Sequence, residues 1–234
     1  MRMRRKRNLE PRMEACGQIL LARGKPCRNL KEAAENFRAP VDYAAVFGNG
    51  APVELEVGCG NGGFIAELAR RAPEKNYIAV ELCTNVVLTA MERIMREEIP
   101  NVRFPNIPAE ILACYIPPHS VDRIYLNFST PLPEAGREKQ RLTSDRFLAI
   151  YKTLLKEGGE IVQKTDSAPF FEYSLRKFRE NGFSVKDVTY DLHASEWAAE
   201  NIVTEYEKNF SDKGMKICRA AAVYRGEGEE NDEI

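Results

Sequence analysis

From Pro52 to Arg71 the chain passes from an apolar stretch, Pro52-Val-Glu-Leu-Glu-Val57, through Gly58-Cys-Gly-Asn-Gly-Gly63 into Phe64–Arg71, which has helical spacing. Glycines let a backbone turn sharply and approach a ligand closely. A strand, a glycine loop and a helix in that order commit the chain to βαβ construction. The pattern continues downstream. Tyr77–Val80 reads as a second strand ending on Glu81, and Thr84–Glu98 as an amphipathic helix capped by Thr84. Val102–Phe104 is a third strand, followed by a helical turn near Ala109–Cys114. Asp122–Phe128 is a fourth strand, Ser144–Lys156 a helix, Glu160–Lys164 a fifth strand, and Ala168–Glu180 a helix stopped by Asn181-Gly182. Two more strands, Phe183–Tyr190 and Lys216–Tyr224, enclose only a helical segment near Ser195–Asn201. That is short for a parallel crossover. The expected fold class is α/β: a doubly wound, mostly parallel, Rossmann-like sheet of seven strands with one antiparallel C-terminal strand.

The net charge of −1 rules out a chain that is basic throughout, but charge is placed unevenly. Arg2, Arg4, Arg5, Lys6, Arg7 and Arg12 face only Glu10 near the start, whereas Glu227–Ile234 is acidic. Residues 1–28 are expected as a basic, partly disordered arm and 226–234 as an acidic disordered tail. Between them, 29–225 forms one domain that opens with a short helix over Asn29–Phe37. The arm suits a polyanion, and equally a solvated terminus. No run approaches the roughly 18 apolar residues of a membrane span. Six scattered cysteines with two histidines argue for reduced thiols in a cytosolic protein, with no metal expected.

The glycine loop fits G-x-G-x-x-G through Gly58, Gly60 and Gly63, the pattern of a dinucleotide site. It also fits E-x-G-x-G-x-G, the loop of S-adenosylmethionine (SAM) methyltransferases, with Glu81 available for ribose hydroxyls. Glu56 discriminates. A carboxylate there crowds a pyrophosphate but suits SAM, which has no phosphate and carries cationic groups.

The order of motifs then resembles the bacterial tRNA (guanine-N7)-methyltransferase family. It runs Leu55–Gly60, Ile78–Glu81, Asp122–Phe128, Gln140–Thr143 with Phe147-Leu148, Lys164-Thr-Asp166, Asp191-Leu-His193 and Thr204-Glu-Tyr-Glu207. The resemblance spans most of the chain, from the arm to Tyr224. It implies methyl transfer from SAM to N7 of a guanine in tRNA, in the cytoplasm, by a monomer or homodimer. It assigns Glu56, Gly58, Gly60, Asn61, Glu81, Pro108, Ala109 and Asn127 to the cofactor. It assigns Asp166, Thr204, Glu205, Tyr206, Glu207, Lys139 and Arg141 to the substrate. The residues alone admit plainer roles: Thr165-Asp166 as a helix cap, Thr204–Glu207 as a polar helix face, Trp197 and Tyr206 as packing, His193 as a structural hydrogen-bonding residue, and His119 as a surface residue.

The chain departs from the resemblance at the loop after the fourth strand, where the family reads F-P-D-P-W-P-K-K-R-H-x-K-R-R-L and this sequence reads Phe128–Leu142, FSTPLPEAGREKQRL. Thr130 stands at the acid position of the catalytic loop, Leu132 at the tryptophan, and Pro108 where an Asp is usual. Guanine N7 has a lone pair and no proton, so the transfer needs alignment rather than a base. The alternative to an active enzyme is a catalytically weakened SAM-binding member acting as a tRNA-binding or partner protein. A methyltransferase for another substrate and a dinucleotide oxidoreductase rank below both.

Overall fold

A strand buried at every position is covered on both faces, and two such strands form the centre of the first half of the protein. The computed structural model describes residues 6–23 and 40–226. The expected helix over 29–37, residues 1–5 of the arm and residues 227–234 of the tail lie outside the described residues. The chain forms two compact units, Met1–Pro117 and Pro118–Ile234.

In the first unit, β2 (Val53–Val57) and β3 (Asn76–Val80) are buried at every position. They pair in parallel, with Glu56 opposite Ala79 and Val57 opposite Val80. Beyond β3 lies β4 (Val102–Asn106), and beyond that β1 (Leu20–Arg23), both parallel. Helix α1 spans Leu9–Ala15 and α2 Tyr43–Phe47, α3 spans Gly63–Arg71 and α4 Thr84–Arg96, and α5 is the short turn Leu112–Tyr115. Alternation along the strands sends Tyr77, Ala79, Val102 and Phe104 into one cluster with Leu9 and Met13 of α1, Ile65 and Ala69 of α3, and Leu88, Met91 and Ile94 of α4. Part of the segment expected as a basic arm is therefore docked on the sheet. Arg12 fixes it further with a forked bond to the Glu92 carboxylate, 2.6 and 2.7 Å, and Lys6 bonds Thr89.

In the second unit, β5 (Val121–Asn127) pairs in parallel with β6 (Leu155–Thr165). The strand β8 (Cys218–Tyr224) lies antiparallel to both β6 and β7 (Phe183–Thr189). One strand reverses direction, as the short connection predicts. Helices α6 (Asp145–Leu154), α7 (Ala168–Glu180) and α8 (Glu205–Ser211) complete the unit. Phe171 and Leu175 of α7 pack on Cys218 and Ala220 of β8.

The elements together make the expected α/β fold with a mostly parallel sheet. The described residues hold eight strands rather than seven, because β1 was too short, at four residues, to show a period. Two further boundaries differ. β6 begins at Leu155, directly after α6, and Gly159 sits where a Cβ would lie 2.9 Å from the Lys156 carbonyl oxygen and 3.1 Å from that of Asp122. The last connection carries its α-helix at Glu205–Ser211, while residues near Ser195–Asn201 form only a 3₁₀ turn, Glu196–Ala198.

Candidate functional site

The cofactor residues expected in the first unit lie at or just after the carboxyl ends of three neighbouring parallel strands, β2, β3 and β4. The amides of Gly58 and Cys59 donate to the Val80 carbonyl, 2.8 and 3.0 Å, which folds the glycine loop against the end of β3. Gly58, Gly60 and Gly62 all take the left-handed conformation, at φ 85°, 55° and 74°, which glycine adopts without strain. Gly62 is also pinned from the far side: a Cβ there would stand 2.8 Å from Ala90 Cβ of α4. A Cβ on Gly58 or Gly60 would meet nothing within 4 Å. One flank of the loop is closed by a helix and the other is open.

Glu81, at the end of β3, ties the loop together. Its carboxylate accepts from the Gly60 amide at 3.2 Å and from the Cys83 amide at 2.8 Å. Each oxygen keeps a second lone pair for a hydroxyl. Glu56 is buried at 2 % exposure in the strand that feeds the loop. Asn61 is exposed, and Pro108 and Ala109 lie half-buried at the start of a 3₁₀ turn after β4. Burial, and then the Glu56 and Glu81 carboxylates, push the Cys59 thiol well above its ordinary value, so this loop cysteine is no thiolate nucleophile.

Two residues here escaped the sequence reading. Asn106, buried at the end of β4, donates from Nδ2 to the carbonyls of Glu81 and Leu82, 2.7 and 3.0 Å, and accepts from Thr84 Oγ1 at 2.9 Å. It fixes the turn that carries Glu81. Leu82 is 66 % exposed, an apolar side chain left uncovered beside that carboxylate. An apolar residue directly after a strand-end acid was the available signal.

In the second unit the proline loop leaves β5 after Asn127, which is half-buried. Phe128 and Leu132 both sit in the left-handed region, at φ 52° and 45°. For bulky residues that is a strained conformation, about 1–3 kcal/mol each, and it persists only where neighbours hold it. The holders are visible. The Phe128 amide donates to the Lys164 carbonyl at 2.8 Å. Arg141 donates from Nε and Nη2 to the Leu132 carbonyl, 3.1 and 3.0 Å, and its guanidinium lies 4.3 Å from the Tyr173 ring centroid. Arg141, assigned by the resemblance to the substrate, also braces its own loop. Leu132 is buried, Thr130 is exposed at the crest, and Lys139 is an exposed cation.

Asp166 follows β6 and is half-buried. It is not the cap of α7. Ser167 caps that helix through Phe170 N, and Thr165 Oγ1 accepts from the Ser167 amide. The Asp166 carboxylate is an electrostatic neighbour of Tyr206; burial first, then Asp166, pushes that phenol up. Tyr206 is 46 % exposed, stacks on Phe210 at 4.4 Å and leans on Phe128 at 5.0 Å.

Thr204 and Glu207 form a reciprocal capping box at the start of α8: Thr204 Oγ1 accepts from Glu207 N, and Glu207 Oε2 from Thr204 N. Glu205 is exposed. Glu207, assigned by the resemblance to the substrate, is 0 % exposed. Its oxygens also meet Lys164 Nζ at 2.8 Å, Asn201 Nδ2 at 2.6 Å and His193 Nε2 at 2.7 Å. In this arrangement it faces protein rather than solvent, with both carboxylate oxygens bonded to neighbouring side chains. Burial pushes its carboxyl up, but the Lys164 ammonium and the bonds from Lys164, His193 and Asn201 outweigh burial and hold it below its ordinary value. His193 is the hydrogen-bonding residue expected, and His119 is exposed. Trp197 packs under the Arg219 guanidinium at 5.3 Å.

Comparison with known proteins follows the same lines. A family model described as "Putative methyltransferase" matches residues 50–220. A tRNA (guanine-N(7)-)-methyltransferase of Brevibacillus brevis is 45 % identical over 176 residues, 75 % of this chain and 82 % of the relative. Among solved structures, the 16S rRNA methyltransferase KamB superposes with a TM-score of 0.58 at 16 % identity, covering 87 % of this chain and 98 % of that one. An antibiotic-related methyltransferase superposes with a TM-score of 0.57 at 18 % identity, covering 80 % of this chain and 96 % of that one. At such identities the structures speak for the fold. Among the described residues no helix is long and apolar enough to cross a membrane.

Proposed function

The chain belongs to this methyltransferase family, and from that premise we propose that it transfers a methyl group from SAM to N7 of a guanine in tRNA. The observation that carries the reading is its kinship with the Brevibacillus brevis enzyme across most of both chains. A SAM-binding protein without transfer activity is not favoured.

The residues of the first unit fit SAM. The glycine loop is open at Gly58 and Gly60, Glu81 has lone pairs left for a diol, and Leu82 offers an apolar surface for a purine. The buried Glu56 adds negative charge near a ligand that is cationic at sulfur and nitrogen. Asn61, Pro108 and Ala109 are assigned to the same ligand. When bound, SAM supplies an electrophilic methyl on a sulfonium that departs as a neutral thioether.

The protein's own work is alignment. Asp166 accepts from the N1–H and N2–H donors of guanine, which leaves N7 as the free nucleophile. Thr204, Glu205 and Tyr206 form the wall against which the base is held, and Glu207 fixes that wall from beneath. No residue takes a proton, because N7 carries none. Thr130, at the crest of the braced loop, orients the reacting base without adding charge. Lys139 contacts tRNA phosphate, a term that falls with salt. Such an enzyme works in the cytoplasm, as a monomer or a homodimer.

The test is methyl transfer from labelled SAM to unmodified tRNA, with ribosomal RNA as the comparison substrate. Transfer to tRNA supports the proposal. SAM binding without transfer to any tRNA overturns it.

A further inference from the structure

Lys164 is the penultimate residue of β6, and its side chain is almost wholly enclosed, at 4 % exposure. Its three N–H donors meet three acceptors: Glu207 Oε2 at 2.8 Å, Asn201 Oδ1 at 3.0 Å and the Ile202 carbonyl at 2.8 Å. Its ammonium lies 5.8 Å from the Phe128 ring, and its own carbonyl accepts the Phe128 amide. One residue thus touches the start of the strained loop, the turn at residues 201–202 and the first turn of α8. Asp166 lies two residues further along the same backbone.

A buried ion pair is poor evidence for stability, since desolvating two charges offsets most of their attraction, whereas such a pair is directional and specifies one arrangement. The arrangement specified here is that of the proposed guanine wall. Asn201 bonds Lys164 through Oδ1 and Glu207 through Nδ2, so the turn before Thr204 cannot shift without breaking both. Thr204 is locked in turn by its capping box with Glu207.

We infer that Lys164 is a positioning residue for methyl transfer: through Glu207 and Asn201 it fixes Thr204 and Tyr206 in register with Asp166 and with the start of the proline loop. It touches neither substrate nor cofactor. The inference rests on the proposed function.

The mechanism predicts an effect on turnover rather than on tRNA affinity. Phosphate contacts carry most of the affinity for a nucleic acid, and base contacts carry the selection. A base held out of line by about 1 Å costs up to roughly a hundredfold in rate.

The decisive variant is the double substitution Lys164→Met with Glu207→Gln. It removes both charges and so leaves none buried and unpaired, which the single Lys164→Met would do at the risk of misfolding. SAM calorimetry reports the folded fraction through its stoichiometry, and steady-state kinetics with tRNA report kcat and KM. The expected result is wild-type stoichiometry and SAM affinity, with kcat for tRNA lowered about tenfold or more and KM for tRNA changed much less. A purely structural pair predicts instead that the double variant, once shown to be folded, turns over at the wild-type rate. That result would overturn the inference. A wild-type protein that transfers nothing to tRNA would instead refute the proposed function on which it stands.

Discussion

Adding one methyl group at either of two neighbouring glycines separates the packing role of the glycine loop from its binding role. At Gly62 a Cβ would lie 2.8 Å from Ala90 Cβ and 3.0 Å from Ala90 Cα, with φ at 74°. Ala90 is fully buried inside α4 and has nowhere to retreat. A left-handed alanine costs about 1–2 kcal/mol, and overpacking about 1–3 kcal/mol more. Gly62→Ala should therefore destabilise the fold by about 2–5 kcal/mol. At Gly60 the backbone is also left-handed, φ 55°, but nothing lies within 4 Å of an added Cβ. Only the conformational cost remains, about 1–2 kcal/mol. That methyl points into the space assigned to SAM, so Gly60→Ala should lower SAM affinity about tenfold or more, equivalent to roughly 1.4 kcal/mol. Urea unfolding measures the first quantity and calorimetry the second. Gly60→Ala binding SAM as tightly as the wild type would refute the assignment of the open flank to the cofactor. Equal destabilisation by the two variants would refute the packing argument at Ala90.

Arg141→Met removes both bonds to the Leu132 carbonyl, so hydrogen exchange should rise across residues 128–141 and kcat should fall more than tRNA affinity; unchanged exchange would remove the bracing role. Lys139→Ala should do the reverse, weakening tRNA binding and lowering its salt dependence by about one unit in the log–log slope. Because the Glu207 carboxyl is held below its ordinary value, its contribution to stability is present above the unfolded carboxyl pKa of about 4.3 and is lost as pH falls through the lower folded value. Thermal melts between neutral and strongly acid pH should show a shallower acid loss in the Lys164→Met, Glu207→Gln double variant than in the wild type. Thr130→Asp should raise the transfer rate about tenfold or more if the loop still faces the reacting base, by the scale of a single placed polar group; an unchanged rate would place the crest away from it.

Much of this was written in local pattern. The glycine loop, the alternation of strands and helices and the bounds of α7 follow from periodicity and punctuation, and the structure keeps them. The capping box of α8 was equally legible in Thr204-x-x-Glu207, and the helix lies later in the connection than expected. Strand β1 was invisible because four residues of Leu-Leu-Ala-Arg carry no measurable period, and only pairing with β4 makes them a strand. The pairing of Lys164 with Glu207 could not be read at all. The partners stand 43 positions apart, and a lysine at a strand end resembles any solvated charge until the fold buries it. Arg141 likewise looks like a phosphate contact in a basic run, and becomes a brace only because Leu132 bends back beneath it. Sequence displays residue types, while burial decides whether a charged group faces a ligand or its own backbone.

The regiochemistry of the product tests the whole reading most directly. Methylation at N7 gives the guanine ring a positive charge and makes the nucleotide sensitive to reduction and strand scission, unlike methylation at N1 or N2. Unmodified tRNA incubated with this protein and SAM, then reduced and treated with aniline, should be cut at a defined guanosine. Methyl incorporation without any such cut would place the methyl on another atom and contradict a site in which Asp166 holds the N1 and N2 edge so that N7 is left to react.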